Sequence, residues 1–319
     1  MQSVSGEAGN FEVTISQAPR YIDIETCIAC GICVEKCPKG VVDYYNAGLS
    51  KRKAVYLPYP QAVPLKYVID AKNCIYFQKR GRCKACQEFC PTGAVNFEDE
   101  AQVRHIRVGA MILCPGFVPY DPLKRDTFSY GRHSNVVTSL EFERILSSCG
   151  PYQGHMVRPS DQKEPRRIAW LQCVGSRDSH HGANGYCSTV CCTYAIKQAV
   201  IAKEHSTAPL DAAIFYIDVR TQGKDFERYY MRARDKEGVR FVRSKISNVM
   251  PVEHTENLLI RYTDAAGKRI QEEYDMVVLS VGLGVRKDTV SLAEKLGIEL
   301  DQYNFAATSS FKPDRKSVV

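Results

Sequence analysis

The apolar positions of this chain fall into short runs separated by turn-forming residues, and those runs set the expected order of elements. Residues 168–173 (IAWLQC) suit a buried strand, 174–178 (VGSRD) a turn, and 188–205 have helical composition. A strand over 214–219, a helix over 225–236, a third strand over 239–242 and a return strand over 274–281 ending at Gly282 follow. That order is a nucleotide-domain-like βαβ layout, so an α/β fold is expected. Upstream, 11–15 reads as a short strand, 106–113 as a β-prone run stopping at Pro115-Gly116, and 139–148 as a helix. The Gly- and Pro-rich stretch 150–165 has the composition of a domain boundary. Residues 56–69 contain Pro58, Pro60 and Pro64 and read as an extended connection.

A chain of 319 residues with 44% apolar content can bury more than one core. Its longest apolar stretches, at 110–113 and 276–279, fall far short of the ~18 residues of a membrane span, so none is expected. Residues 1–11 lack the basic start and apolar centre of a signal peptide, so a cytoplasmic location is expected.

Cysteine changes the picture most. Cys27, Cys30, Cys33 and Cys37 stand as C-x2-C-x2-C-x3-C before Pro38, the run of two-cluster bacterial ferredoxins. Cys74, Cys83, Cys86 and Cys90, before Pro91, repeat it with the first gap opened to eight residues. The fourth cysteine of each such run ligates the other cluster, so Cys27, Cys30, Cys33 and Cys90 are expected on one 4Fe-4S cube and Cys37, Cys74, Cys83 and Cys86 on a second. Zinc would favour separated Cys pairs, often with a His-x3-5-His tail, and disulfides an oxidising compartment; neither pattern is present.

A third group, Cys173, Cys187, Cys191 and Cys192, reads C-x13-C-x3-C-C where the βαβ unit would place a phosphate-binding loop. No G-x-G-x-x-G follows any expected strand; the Gly282–Gly284 pair continues to Lys287. Cys187 and Cys191, four apart, would share a helix face, and the helix N-terminus would favour an anionic cluster. Buried structural cysteines with an accidental vicinal pair are the alternative. Cys114 and Cys149 belong to no ligand spacing and read as structural, and His180 and His181 as exposed loop residues. The formal charge of +7 is largely offset by roughly two negative charges per thiolate-bound cube, and the basic residues are scattered, so no nucleic-acid partner is expected.

The strings PRYIDIETCIACGICVEKCP, YLPYPQAVPLKYVIDAKNC, LQCVGSRD and YCSTVCCTYAIKQA resemble the iron-sulfur flavoprotein subunit of heterodisulfide reductase, from about Gly6 to Phe311, with quinone-interacting membrane-bound oxidoreductase flavin subunits as close relatives. The resemblance implies thioredoxin-reductase-like FAD/NAD(P)-binding Rossmann-type domains carrying an inserted two-cluster ferredoxin-like (α+β) domain. It divides the chain into a partial FAD-domain segment (1–19), the inserted domain (20–98), a second FAD-domain segment (99–150), an NAD-domain-like βαβ region (151–280) and a partial FAD-domain return (281–319). It also implies an atypical 4Fe-4S cluster on the third cysteine group, FAD as flavin, and Lys197, Gly116 and Gly282 in the flavin's vicinity. Cys114 and Pro115 stand where relatives have an Ala-Thr-Gly turn. The amino-terminal glycine-rich FAD loop and carboxyl-terminal flavin segment of the family are not found, so a fragment, or half of a split protein, is expected. The function implied is that of an oxidoreductase component passing electrons among flavin, clusters and partners, electron bifurcation among its options. Its expected partners are other heterodisulfide-reductase-like subunits, a hydrogenase or formate dehydrogenase donor, and ferredoxin. A flavin-free electron conductor and an interaction scaffold with relict clusters are the rival readings.

Overall fold

A computed structural model describes residues 1–180 and 182–309; His181 and the last part of the expected 281–319 return lie outside the described residues. The described chain forms two compact units, 1–117 with 285–309, and Val118–Gly284.

In the first unit β1 (Ser3–Glu7) and β2 (Asn10–Gln17) form a hairpin. The segment leaving β2 contains α1 (Ile32–Lys36), β3 (Gly40–Val42) paired with β4 (Lys51–Lys53), β5 (Val55–Tyr56) paired with β6 (Val68–Ile69), and the short helices α2 (Ile75–Gln78) and α3 (Ala85–Glu88). It returns as β7 (Gln102–Val108), which pairs antiparallel with β2 from Phe11↔Val108 to Gln17↔Gln102. Because the two strands pair along their whole length, residues 18–101 are an insertion closed at its neck, where the Asp99 carboxylate accepts the N–H groups of Arg20 (2.8 Å) and Tyr21 (3.0 Å). The register places the strand at 102–108 rather than the expected 106–113, and 110–117 forms no strand. The expected connection 56–69 is extended and holds the cis Val63-Pro64 bond.

Helices of four or five residues have no stability of their own. The insertion is held by a small core in which Ile22, Ala54, Val55, Ile69, Ala94, Val95 and Phe97 surround Cys27, Cys33, Cys37, Cys74 and Cys86.

The second unit comprises β8 (Val118–Pro119), β9 (Val136–Thr138), α4 (Ser139–Leu146), β10 (Arg167–Val174), α5 (Cys191–His205), β11 (Asp211–Tyr216), α6 (Phe226–Asp235) and β12 (Arg240–Arg243). Then come the antiparallel meander β13 (Val249–Pro251), β14 (Leu258–Thr263) and β15 (Arg269–Tyr274), followed by β16 (Met276–Val281) and β17 (Leu283–Gly284). The chain continues into α7 (Lys287–Lys295) of the first unit. Its main sheet is parallel, in the order β12-β11-β10-β16-β9. β10 and β16 are buried on both faces, as central parallel strands must be, which explains the apolar runs 168–171 and 276–279 within them. Trp170 packs edge-on to Phe142 of α4 (5.5 Å), and a capping box of Thr138 and Glu141 starts that helix.

The expected boundary at 150–165 is not one in the structure. β9 pairs with β16 (Val277↔Val136), so 118–150 folds with the parallel sheet, and the units part at Phe117 and Gly284. The stretch 150–165 is anchored by the buried Arg158, whose guanidinium binds Asp161 (2.5 Å) and Asn257 (2.9 Å). Nor does α5 begin at 188. Thr189 adopts φ +61° and the Val190 N–H bonds to the Ser188 carbonyl (2.8 Å), which holds 187–190 in a turn.

Candidate metal centres

Within the insertion the two cysteine runs interleave. Cys27, Cys30, Cys33 and Cys90 line one small cavity with Ile22, Tyr67, Ala94 and Val95. Burial pushes the Cys33 thiol up to about 11, and the neighbouring charges of Cys27, Cys30 and Cys90 add to the shift. Cys86 is pushed up to about 12, first by burial and then by Cys74, Cys37, Cys33 and Cys83. Cys33 thus shares its surroundings with Cys27, Cys30 and Cys90, and Cys86 shares its own with Cys74, Cys37, Cys83 and Cys33. Clustered thiolates repel; a cationic group among them is what makes their ionised forms tenable. Cys90 departs from this pattern. Burial would raise it, but the N–H groups of Thr92, Ala94 (3.3 Å) and Val95 and the Thr92 hydroxyl outweigh that and hold it below the ordinary thiol range. Donors of this kind stabilise anionic sulfur.

The third group is built differently. β10 and β16 lose register between Leu171 and Val174, one extra residue being accommodated on β10, and Cys173 there adopts φ +61°. Such a bulge bends the strand and re-aims a side chain. The loop that follows folds back on itself: the Asn184 N–H bonds to the Gly175 carbonyl (3.0 Å) and Arg177 N–H to the Tyr186 carbonyl (3.0 Å). Cys191 and Cys192 are the first two residues of α5, while Cys187 precedes the helix and accepts the Thr189 N–H (3.4 Å). The shared helix face expected for Cys187 and Cys191 is therefore not formed.

All four cysteines nevertheless line one small cavity, with Ser176, Arg177, Ser188, Thr189, Asp218 and Arg220. It lies beyond the carboxyl ends of β10 and β11, the side on which doubly wound sheets bind their ligands, and Cys191 also reaches β16 across the point where strand order reverses. Cys191 Sγ lies 3.6 Å from the Val281 carbonyl, which also accepts the Tyr194 hydroxyl (2.9 Å). Burial pushes Cys191 up to about 11; the Tyr194 hydrogen bond opposes this, and the charges of Cys192, Cys173 and Cys187 reinforce it. Arg177 pairs with Asp218 across the cavity wall. Sequence reasoning missed Arg177, Asp218 and Arg220 because a turn and a post-strand loop carry no spacing signal. The buried Gln172 and Ser280 side chains, on neighbouring β10 and β16, leave polar atoms without a hydrogen-bond partner.

All fourteen cysteines are free thiols, and among the described residues no three His, Cys, Asp or Glu side chains gather around a single ion. A mononuclear zinc site needs its sulfurs within ~2.3 Å of one point; a cube takes each thiolate on a different iron, and cavities lined by separated cysteines suit that chemistry better.

The residues expected near flavin are occupied otherwise or lie open. Lys197 Nζ pairs with Glu143 of α4 (2.9 Å), and the neighbouring Gln198 binds Glu143 (3.0 Å) and Trp170 (3.2 Å). Gly116 takes φ +71° with nothing near its Cβ position, whereas a Cβ on Gly282 would lie 2.1 Å from Ser176 Oγ. His180 is exposed and bonds the buried Asp178, which Arg125 also holds (2.5 Å). Cys114 is exposed, so it serves no core; Cys149 is half-buried, and hydrogen bonds first from Ser147 and then Arg144 hold its thiol below the ordinary range.

Residues 26–94 match the 4Fe-4S dicluster domain family, a span that includes all eight cysteines of the first two runs. The chain is 41% identical over 306 residues to a CoB–CoM heterodisulfide reductase iron-sulfur subunit of Methanocaldococcus jannaschii, covering 96% of this chain and 45% of that protein. It is 42% identical over 300 residues to the corresponding component of the H2/formate:CoB-CoM heterodisulfide,ferredoxin reductase of Methanococcus maripaludis, covering 94% and 44%. A heterodisulfide-reductase-like protein of Archaeoglobus profundus, named for its likeness to the same component, is 36% identical over 347 residues, covering 96% and 48%. Among solved structures, Lactococcus lactis thioredoxin reductase aligns over 81% of this chain and 72% of its own at a TM-score of 0.37 and 12% identity, too slight a likeness to carry an argument. The chain spans less than half the length of the curated relatives it matches. Similar to them along nearly its whole length, and carrying a 4Fe-4S dicluster domain, this chain belongs to the family of heterodisulfide reductase iron-sulfur flavoprotein subunits.

Proposed function

We propose that this chain conducts electrons through three 4Fe-4S clusters, held by Cys27/Cys30/Cys33/Cys90, Cys37/Cys74/Cys83/Cys86 and Cys173/Cys187/Cys191/Cys192, as part of a heterodisulfide-reductase-like assembly. The observation that carries the reading is the convergence of cysteines distant in sequence, such as Cys90 with Cys27 and Cys173 with Cys192, on common cavities. Each cube supplies a one-electron couple whose potential depends on net charge, hydrogen bonds to sulfur and exposure. The chain's own residues set those terms: the N–H groups of Ala94 and Thr189 donate to sulfur, and Arg177 and Arg220 place positive charge beside the third site.

Under this reading the electron donor is a hydrogenase or formate dehydrogenase, the acceptors are ferredoxin and a disulfide-reducing partner, and the disulfide chemistry lies on another chain. FAD, the family's flavin, does not fit the switch-point corner of the parallel sheet: the corner is lined by cysteines, Gly282 is packed against Ser176, and the Tyr120 ring occupies the Cβ position of Gly175. Flavin in the assembly therefore binds elsewhere than this corner.

Iron, acid-labile sulfide and flavin content of the anaerobically purified chain, with electron paramagnetic resonance after reduction, test the proposal. About twelve iron per chain are expected. About eight would sink the third site, and iron without any reducible signal would sink electron conduction.

A further inference from the structure

The gap between Cys74 and Cys83 is filled by 75–82 (IYFQKRGR), where the first run has two residues. After α2 the chain reverses through Arg80 (φ +48°) and Gly81 (φ +82°), whose N–H bonds to the Tyr76 carbonyl (2.8 Å). Lys79, Arg80, Arg82 and Lys84 stand around this reversal, with no acidic residue between Asp70 and Glu88. All four are exposed, and none forms an ion pair among the described residues. Arg52 of the same insertion, by contrast, is paired with Asp70 at 3.0 Å.

The loop also carries the most accessible ligand of the second set. Cys37, Cys74 and Cys86 are buried, while Cys83, flanked by Arg82 and Lys84, is half-buried. One residue beyond α3, Phe89 is 52% exposed, and Lys36 Nζ of α1, which packs on α3, lies 4.8 Å from its ring centre. An exposed aromatic beside a cation combines an apolar anchor with electrostatic steering.

Resting on the electron-conduction reading, we infer that this face is the docking surface of an acidic one-electron carrier protein, with Cys83 at the crossing. One electron passes between the Cys83 site and the carrier's metal centre; one is oxidised as the other is reduced, and no bond or proton moves. The half-buried redox ligand on this face favours a carrier over a nucleic acid or lipid surface, neither of which would exchange an electron.

The test is stopped-flow electron transfer between the iron-loaded chain and an acidic plant-type [2Fe-2S] ferredoxin, with cytochrome c as the basic comparison, after iron and sulfide counts on every variant. The rate with the acidic carrier is expected to fall about tenfold as salt shortens the Debye length from about 30 Å to about 10 Å. K79Q/R80Q/R82Q/K84Q should lower the low-salt rate about tenfold and flatten its salt dependence, while K51Q/K53Q on β4 leaves both unchanged. A fully loaded quadruple variant with wild-type rate and salt dependence overturns the inference, as does preference for the basic carrier. Loss of phosphatidylserine-vesicle binding in that variant with carrier transfer intact would assign the loop to a lipid surface instead. A wild-type chain whose iron count lacks the second site fails the conduction reading too, and the count reveals this before any rate is measured.

Discussion

The insertion and the corner of the parallel sheet solve one problem, gathering four thiols around a cavity, from opposite starting points. In the insertion the cysteines are the core: five of them are buried among a handful of small apolar side chains, and its helices are too short to persist alone. At the sheet corner a large core of Ala169, Leu171, Phe215, Leu258, Ile260, Val277 and Leu279 exists without them, and the cysteines decorate its edge. On the proposed reading, metal binding in the first region is folding free energy, whereas in the second it is added to a fold already made.

Iron removal should separate the two most widely. Stripping the clusters with chelator and oxidant is expected to abolish hydrogen-exchange protection across residues 20–98 while strands β10 and β16 keep theirs. Protection lost in both regions alike, or in neither, would break the contrast.

Single cysteines sharpen it. Cys86→Ala and Cys191→Ala should each lower iron from about twelve to about eight per chain. Cys86→Ala should also melt the insertion, whereas Cys191→Ala should cost the sheet unit only about 1 kcal/mol, the loss of a small buried side chain. Iron content with separate thermal transitions for the two regions checks both.

The same contrast governs what can be read from the sequence. The insertion's ligands follow local turns, so spacing alone assigns Cys90 to the distant Cys27 set, and Cys90 does line that cavity. At the corner, spacing identifies the four cysteines but not their geometry. Helical composition begins at Ser188, yet the bulge at Cys173 and the turn at Thr189 arise from pairing with β16 and from loop hydrogen bonds that no local pattern reports. In the meander β13–β15, β15 escapes a reading of the sequence for a related reason: RIQEEY is largely polar and half-exposed, and cross-strand pairing with β14 fixes it. The boundary expected at 150–165 rests on composition, and composition does not report that Arg158 is buried there.

A smaller effect tests how the corner's loop is held. Asp178 has only 2% of its side chain exposed beside Arg125, itself 20% exposed. Burial alone would raise its carboxyl; the His180 hydrogen bonds and the cations Lys245 and Arg125 outweigh that and hold it at about 2. Because the folded value lies below the ordinary one of about 3.9, its stabilisation is present above about pH 4 and lost as pH falls toward 2. Asp178→Asn should cost about 3 kcal/mol at neutral pH by leaving Arg125 unpaired, and flatten the acid limb of the melting profile over that window.

The smallest expected effect concerns Gly282, whose absent Cβ lets β16 approach the cysteine loop. A methyl there would meet Ser176 Oγ at 2.1 Å, Ser176 Cβ at 3.2 Å and the Gly175 carbonyl at 3.3 Å. Ser176 is not free to yield, since its hydroxyl bonds Ser188 Oγ (3.0 Å), which in turn accepts the Leu283 N–H (2.8 Å). Gly282→Ala should cost about 1–2 kcal/mol by overpacking. Ser176→Ala alone should cost about 1 kcal/mol for the lost hydrogen bond. The double variant should cost less than the sum, because the clash and the hydroxyl vanish together; a coupling of about 1 kcal/mol in a double-mutant cycle is expected. Strict additivity would mean that strand and loop are not in mechanical contact, and the corner would then depend on its metal as the insertion does.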